Sequence, residues 1–596
     1  MLANVKDVLG VLNYSQKLRI GALQLLLLLT ATLELFGLAA VAPYMAVVSN
    51  PEMINSNALL HEIKRILQVD SQNNFLIVLG VIVLLLVFVG NVFSIVGGWL
   101  VAKHSQIIGK EISVNLYDSY LSRDYLFHVV NNSSDLMGKI AQEANRVTFH
   151  VIYPLLQINS RAITVFLIVL GLMIIDIYLA IIAFSAFTLS YAVIYQIVKL
   201  ALEKNGKVIT AATKIRYSAM NEGFGGIKEL KLMHKEHYYS SIFDKASTDL
   251  AEVYVKNSVL SLAPRYILEV LVFGCILSAT LYLLIKEGGF IEAFPTLALY
   301  AVAAFKLLPA FQGIYSNIAS VRSNISALHN IEGELKGGIT LESALVVNPP
   351  EVSIEPGQDI RLRNVEFKYP GANKSTINNL NLSIKGGSIV GFCGSSGSGK
   401  TTVVDIILGL ISPDQGKLYV GNNEVVEDNK RCWQKHLSYV PQNIFLADVS
   451  VAENIAFGDK NSINYELLDE VTSSVGLKQL INDLPNGINT IVGENGAQLS
   501  GGQKQRIGIA RALYNDSSVI IFDEATSALD NISEAEVMTA ILKVASNKTV
   551  IMVAHRLTTL KSCDNIFVFD KGRIVDDGTY GELISREGVF REMSLQ

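Results

Sequence analysis

The amino-acid sequence predicts an all-α transmembrane half of six helices followed by an α/β half built around a phosphate-binding loop. Long apolar runs crowd the chain before about residue 335, in a 596-residue sequence that is 50% hydrophobic. A strand-like run, Ser388 to Cys393, enters the loop Gly394-Ser395-Ser396-Gly397-Ser398-Gly399-Lys400-Thr401-Thr402. About a hundred residues later Leu499-Ser500-Gly501-Gly502-Gln503 precedes the acidic-ended strand Val519-Ile520-Ile521-Phe522-Asp523-Glu524.

A chain this long exceeds one ordinary core, so two or more domains are expected. The net charge of −5 offers no large basic surface and excludes nucleic acid as the main partner. Cys275, Cys393, Cys432 and Cys563 lie far apart with no CxxC or His-rich spacing, so neither a zinc site nor a disulfide framework is expected.

Residues 1–20 carry Leu2, Val5, Val8, Leu9 and Leu12 at helical spacing beside Lys6, Lys17 and Arg19, the pattern of an amphipathic elbow helix on the inner membrane surface. The transmembrane domain follows over 21–335. About 20 apolar residues span the hydrocarbon, and Gly21 to Val48 and Phe75 to Val101 each suffice. Ile152 to Val198 holds two spans hinged at Asp176-Ile177, and Ile267 to Ile285 and Ile291 to Ile314 complete six. A cleaved signal peptide ending near Ala39, Ala40 and Ala42 is disfavoured for the first run, which is too long and starts too far from Met1. An even count puts both chain ends on one side. Lys and Arg crowd the connections near 102–150 and 199–257, whereas the 172–177 and 286–290 turns are short and poor in positive charge, so the charged connections are cytosolic. Residues 51–73 carry the stripe Leu59, Leu60, Ile63, Ile66 and Leu67, a short outer-surface helix that would at least cap the first two spans.

Gly337-Gly338 and Pro349-Pro350 mark a linker over 336–355, and a nucleotide-binding domain follows over 356–596. A strand leading into Gly394–Thr402 lets its glycines turn backbone N–H groups toward the β- and γ-phosphates of ATP, while Lys400 adds a point charge and Thr401 a Mg2+ ligand. Glu524, beside Asp523 at a strand end, is the candidate general base that polarises the attacking water.

The ordered motifs from about 356 to the end resemble the ATP-binding cassette of ABC exporters, giving a fold of ABC exporter type: an all-α six-helix transmembrane domain plus an α/β P-loop ATPase domain. That resemblance implies adenine stacking on Tyr369, Mg2+ contact and sensing of the membrane domain by Gln442, a direct or second-shell Mg2+ carboxylate at Asp523, a γ-phosphate switch at His555, and a further loop residue at Asp530. It implies that residues 499–503 close over the ATP of a second subunit, so that two copies act as a homodimer with two equivalent sites; a partner half-transporter is the other arrangement. Thr490-Ile491-Val492-Gly493-Glu494-Asn495-Gly496 resembles the exporter loop that contacts the membrane domain. Stretches near 120–135 (Tyr125, Phe127, Asp135) and 215–230 (Asn221, Phe224, Lys231) are candidates for the short docking helices or for surface loops. The implied activity is ATP hydrolysis coupled to transport, the implied location a bacterial inner membrane with the ATPase in the cytoplasm.

Polar residues in spans are costly in lipid and tend to face a cavity or a partner. Arg161, Arg265, Glu269, Lys306 and Glu34 are the substrate-cavity candidates; the three cations either line one anion-welcoming cavity or make salt bridges and snorkel. The runs Ala263-Pro264-Arg265-Tyr266-Ile267-Leu268-Glu269 and Ala304-Phe305-Lys306-Leu307-Leu308-Pro309 resemble flippases of lipid-linked oligosaccharides in bacterial protein N-glycosylation, implying a polyprenyl pyrophosphate glycan in contact with membrane lipids. Those flippases tend to carry arginine where this chain has Lys306, keeping charge but losing the bidentate fork. A peptide, lipid or drug exporter is the alternative, and an ATP-gated channel or regulator a weaker one.

Overall fold

The computed structural model describes residues 2–50, 62, 64–65, 71–287, 290–336, 357–458, 460–525, 538–539, 541–542, 548–554 and 556–595. It divides into two compact units, Met1–Arg123 with Asn131–Ala344, and Asp124–Val130 with Leu345–Gln596.

The first unit is all helix. Six helices among the described residues are long and apolar enough to cross a membrane: Tyr14–Ser49, Gln72–Leu121, Ser133–Ile175, Ala180–Gly225, Glu236–Tyr282 and Thr296–Lys336. The break between the third and fourth falls at Asp176, whose backbone is extended and whose carboxylate accepts the Tyr178 N–H at 3.0 Å. Small residues let the first two spans meet: a Cβ at Gly37 would lie 3.3 Å from Val87 Cα, and one at Gly90 3.3 Å from Leu33 O. The core is aliphatic and aromatic, with Leu172, Leu268, Leu299 and Ala303 buried and Phe187 stacked on Phe311 at 5.3 Å.

Two expectations are corrected. The connections near 102–150 and 199–257 are largely helix, because Gln72–Leu121, Ile177–Gly225 and Glu236–Glu287 run on past their apolar windows. Hydropathy marks only where lipid must be; beyond it, buried Ile108, Ile112 and Leu116 keep one helix packed on its neighbours. The N-terminal helix stops at Val11, and Asn13 caps the helix Tyr14–Ala39, so residues 14–20 belong to the first span rather than to the elbow. The helix expected near 51–73 falls mostly, and the linker over 336–355 almost wholly, outside the described residues.

The second unit holds two sheets. Strands β1 (Ile360–Phe367), β2 (Ile377–Ile384), β4 (Gln415–Val420) and β5 (Asn423–Glu424) form an antiparallel sheet in the order β2-β1-β4-β5. Strands β3 (Ile389–Gly394), β6 (Leu437–Val440), β7 (Val519–Asp523), β8 (Thr549–Val553), β9 (Asn565–Asp570) and β10 (Arg573–Gly578) form the other, in the order β10-β9-β3-β8-β7-β6. All its pairs are parallel except β9–β10. Strands β7 and β8 are buried at every position, as the near-continuous apolar runs of a sheet covered on both faces require. Carboxyl ends of such strands gather at one edge, which is where ligands bind in open α/β sheets.

Candidate functional site

That edge collects the phosphate-binding loop. Strand β3 ends at Gly394, and the helix Lys400–Ile407 starts six residues on, its first turn aimed back at the loop. Gly394 (φ 145°) and Gly399 (φ 101°) take backbone that side chains rarely adopt, and a Cβ at Gly394 would sit 2.2 Å from Phe569 O. Around Gly397 (φ 76°) the Cβ position is open space instead. The loop therefore closes tightly on its own fold and leaves room on its outer side. Lys400 is buried, and its ammonium donates to Gly394 O at 2.8 Å and Ser395 O at 3.1 Å. Burial lowers its pKa, with Glu524, Cys393 and Asp523 opposing. The buried Ser398 hydroxyl has no hydrogen-bond partner among the described residues. A cradle of glycine backbone, a buried cation and an orphaned hydroxyl fit the phosphates of ATP.

The carboxylates stand one strand-layer away. Asp523 ends β7 and is 5% exposed; Tyr439 on β6 donates its hydroxyl to Asp523 Oδ2 at 3.1 Å. The register explains the meeting: Tyr439 pairs with Ile521, so Asp523 projects two residues further along the same face. Burial and the neighbouring Asp523 carboxylate hold the Tyr439 phenol well above its ordinary pKa. Glu524 falls just outside β7 with φ 52°, a left-handed conformation uncommon for a non-glycine residue. Its N–H still donates to Val553 O at 3.0 Å, so the kink turns the side chain without losing the sheet bond. Gln442 Nε2 donates to Glu524 Oε2 at 2.6 Å. Thr401, Gln442 and Asp523 supply the hydroxyl, amide and carboxylate oxygens that a hard cation such as Mg2+ takes.

The structure thus joins Lys400, Gln442, Asp523 and Glu524 around one loop. Tyr369 lies beside it, its hydroxyl 3.2 Å from Thr402 Oγ1 and its ring edge-on to Phe367 at 4.9 Å, packed on the sheet core rather than held free. Bonds of residues 499–503 are local: Ser500 caps the helix Gly501–Tyr514 by accepting from Gln503 N at 3.3 Å, and its own N–H donates to Gln503 Oε1 at 2.8 Å. Within 490–496, Gly493, Asn495 and Gly496 all take positive φ, and Lys504 donates to Asn495 O at 2.7 Å. Asp530 and His555 lie outside the described residues.

Sequence reading missed one neighbour of the site. Asp405, four residues past Thr401 on the same helix face, is 6% exposed, and burial plus Asp523 push its pKa up to about 6. Tyr125 belongs to a segment, Asp124–Val130, that the structure groups with the second unit; there Leu126 packs on the sheet core and Asp124 pairs with Lys430 at 3.4 Å. Burial, then Asp405 and Tyr369, raise the Tyr125 pKa. A four-residue spacing after the P-loop threonine was the available signal for Asp405.

In the first unit the charged candidates find separate partners. Arg161 donates to Pro309 O at 2.9 Å, and Gly313 leaves space for its guanidinium. Arg265 pairs with Glu269 at 2.9 Å one turn along the same helix, and Lys306 donates to Asn91 Oδ1 at 3.1 Å. Glu34 is half-buried in the first span beside Gly90. Among the described residues no hydrogen bond gathers these cations around one point.

The ABC transporter family matches residues 377–527, and the ABC transporter transmembrane region matches residues 52–304. The chain thus carries a region similar to the ABC transporter ATPase and another similar to the ABC transporter transmembrane region. Membrane and ATPase regions therefore lie on one polypeptide. It is 34% identical over 289 residues to an ATP-dependent lipid A-core flippase of Salmonella paratyphi A, covering 47% of this chain and 50% of that protein. Its counterpart in Escherichia coli K12 is 33% identical over the same shares. The chain thus spans about half the length of the curated relatives it matches. A bacterial Atm1-family ABC exporter with ATP bound superposes with a TM-score of 0.81 over 97% of this chain and 98% of that one, at 21% identity, a likeness of fold.

Proposed function

We propose that the protein is an ATP-driven flippase that works as a homodimer in a bacterial inner membrane, with its ATPase unit on the cytoplasmic side. It moves a lipid-linked glycan, of the polyprenyl pyrophosphate class, from the inner to the outer leaflet. The observation that carries the ATPase reading is the convergence of Lys400, Asp523, Gln442 and Glu524 on one glycine cradle. Glu524 acts as general base, held by Gln442; Lys400 and the loop N–H groups bind phosphate; Thr401, Gln442 and Asp523 hold Mg2+. Bound Mg2+ offsets the charge that builds on the phosphate oxygens. His555 would contact the γ-phosphate, Tyr369 would swing from Thr402 to stack on adenine, and Leu499 to Gln503 with Asp530 would serve the partner copy's site.

Lipid rather than peptide cargo is supported by the lipid A-core flippase relatives and by cations placed in apolar helices, where a phosphate-bearing head would offset their cost. A lipid A-core substrate is the second reading, favoured by the names of those relatives. The test is ATPase activity and lipid flipping by the purified dimer in vesicles, with a polyprenyl pyrophosphate glycan and with lipid A-core in separate arms. Stimulation by the first alone supports the glycan-carrier reading, by the second alone the other; stimulation by neither overturns both.

A further inference from the structure

Between the third, fourth, fifth and sixth spans lies a cavity of about 450 Å³, walled by Leu172, Phe187, Leu271, Gly274, Ala303 and Leu307. Among the described residues no Asp, Glu, Lys, Arg or His lines it; its polar side chains are Tyr178, Tyr282, Tyr300, Ser278 and Cys275. The Tyr300 hydroxyl is already committed to Asp176 O at 3.3 Å. Such walls repel a charged head and welcome hydrocarbon.

Gly274 is the telling wall residue. It sits inside the helix Glu236–Glu287, where glycine costs about 0.5–1 kcal/mol relative to alanine. Packing does not demand it, since a Cβ there would meet nothing within 4 Å. Some glycines of the unit make room for protein, Cβ atoms at Gly313 and Gly206 coming within 2.3 Å of Arg161 and Ser323, whereas others, such as Gly98, meet open space as Gly274 does. At Gly274 the space faces the cavity instead. Its volume equals that of roughly 15 water-sized groups, enough for a single alkyl or prenyl chain of similar length.

Two charges say whose chain it is. The fifth and sixth helices run antiparallel, and Arg265 precedes Val270 on one as Lys306 follows Ala303 and Ala304 on the other. Both cations therefore lie toward one end of the cavity, and Tyr178, Tyr282 and Tyr300 toward the other, near the Asp176 turn. We propose that the cavity holds the hydrocarbon tail of the transported lipid, with its anionic head toward Arg265 and Lys306. This deepens the flippase reading and rests on it.

The test uses the full-length dimer in nanodiscs with a glycan-bearing, long-chain polyprenyl pyrophosphate carrying a diazirine in its tail. Photolabel is expected in the fifth- and sixth-span peptides that contain Val270–Ser278 and Tyr300–Leu307. Gly274→Phe should cut that labelling, and raise the lipid concentration for half-maximal ATPase stimulation, by about tenfold. Gly274→Ala should change neither. Gly274→Leu replaces the phenylalanine variant if that one does not fold. Wild-type labelling and stimulation in Gly274→Phe would overturn the proposal, as would equal labelling by a diazirine-tailed phospholipid that the polyprenyl lipid does not displace. Specific labelling without ATPase stimulation or flipping by any lipid would keep the site and sink the flippase reading instead.

Discussion

Gln442 and Glu524, 82 positions apart, meet through a 2.6 Å hydrogen bond from the amide to the carboxylate. The bond fixes the orientation of the one acidic side chain whose backbone leaves β7 in a left-handed conformation. Glu524→Gln keeps the shape and removes the base. ATP hydrolysis should fall roughly 10²–10⁴-fold, while binding of labelled ATP with Mg2+ stays within about twofold of the wild type. Hydrolysis that survives would remove Glu524 from the role.

Tyr439 touches the reaction only through Asp523. Tyr439→Phe should leave folding intact and weaken Mg2+ dependence, raising the Mg2+ concentration for half-maximal ATPase roughly 10-fold or more, the usual cost of losing a bond behind a metal ligand. A magnesium titration at saturating ATP reads this directly, and a shift in maximal rate alone would refute it.

Asp405 gives a pH signature with a definite sign. Its folded pKa, pushed up to about 6, exceeds the unfolded value near 3.8, so the folded protein holds the extra proton between these two. Stability contributed by this group therefore falls as pH rises from about 4 to 6 and stays low above, by at most roughly 3 kcal/mol at 1.36 kcal/mol per unit. Asp405→Asn should raise the melting temperature of the EDTA-treated protein at pH 7.5, and the gain should vanish near pH 4. A gain that persists at pH 4 would mean packing, not charge, is responsible.

Much of this was legible in the sequence, and the exceptions share a cause. Apolar runs located the six spans, and the charge at Asp176 located the break between two of them, because lipid enforces both locally. The strand into Gly394–Thr402 followed from its own glycines. What stayed hidden depends on residues distant in sequence. Helices ran on past Val101 and Val198 because neighbouring helices covered Ile108 and Leu202. Tyr439 reached Asp523 only through the β6–β7 register. The left-handed Glu524 could not be read from a residue type that disfavours it.

Lys306, donating to Asn91 across two spans, keeps the charge but not the fork of an arginine. If a pyrophosphate head binds there, Lys306→Arg adds a bidentate contact worth about 1 kcal/mol, lowering the half-maximal lipid concentration about fivefold. Lys306→Gln should raise it by a similar factor, and equal responses of all three proteins would move the head elsewhere.

Ser500 and Lys400 decide the assembly. Ser500 starts the helix Gly501–Tyr514 and, among the described residues, bonds only within its own turn, whereas Lys400 closes on Gly394 and Ser395. If each ATP is held between the loop of one copy and the Ser500 turn of the other, Lys400→Ala and Ser500→Arg each disable both sites of a homodimer. A mixed dimer is different: both lesions fall in one site and the other is whole. Purified mixed dimers should therefore show about half of wild-type nucleotide trapping, since each keeps one of two sites. Were both elements to serve the same copy's ATP, every site would carry one lesion and mixing would restore nothing. Co-expressed, differently tagged subunits, purified over both tags and assayed for trapped ATP, separate the two arrangements.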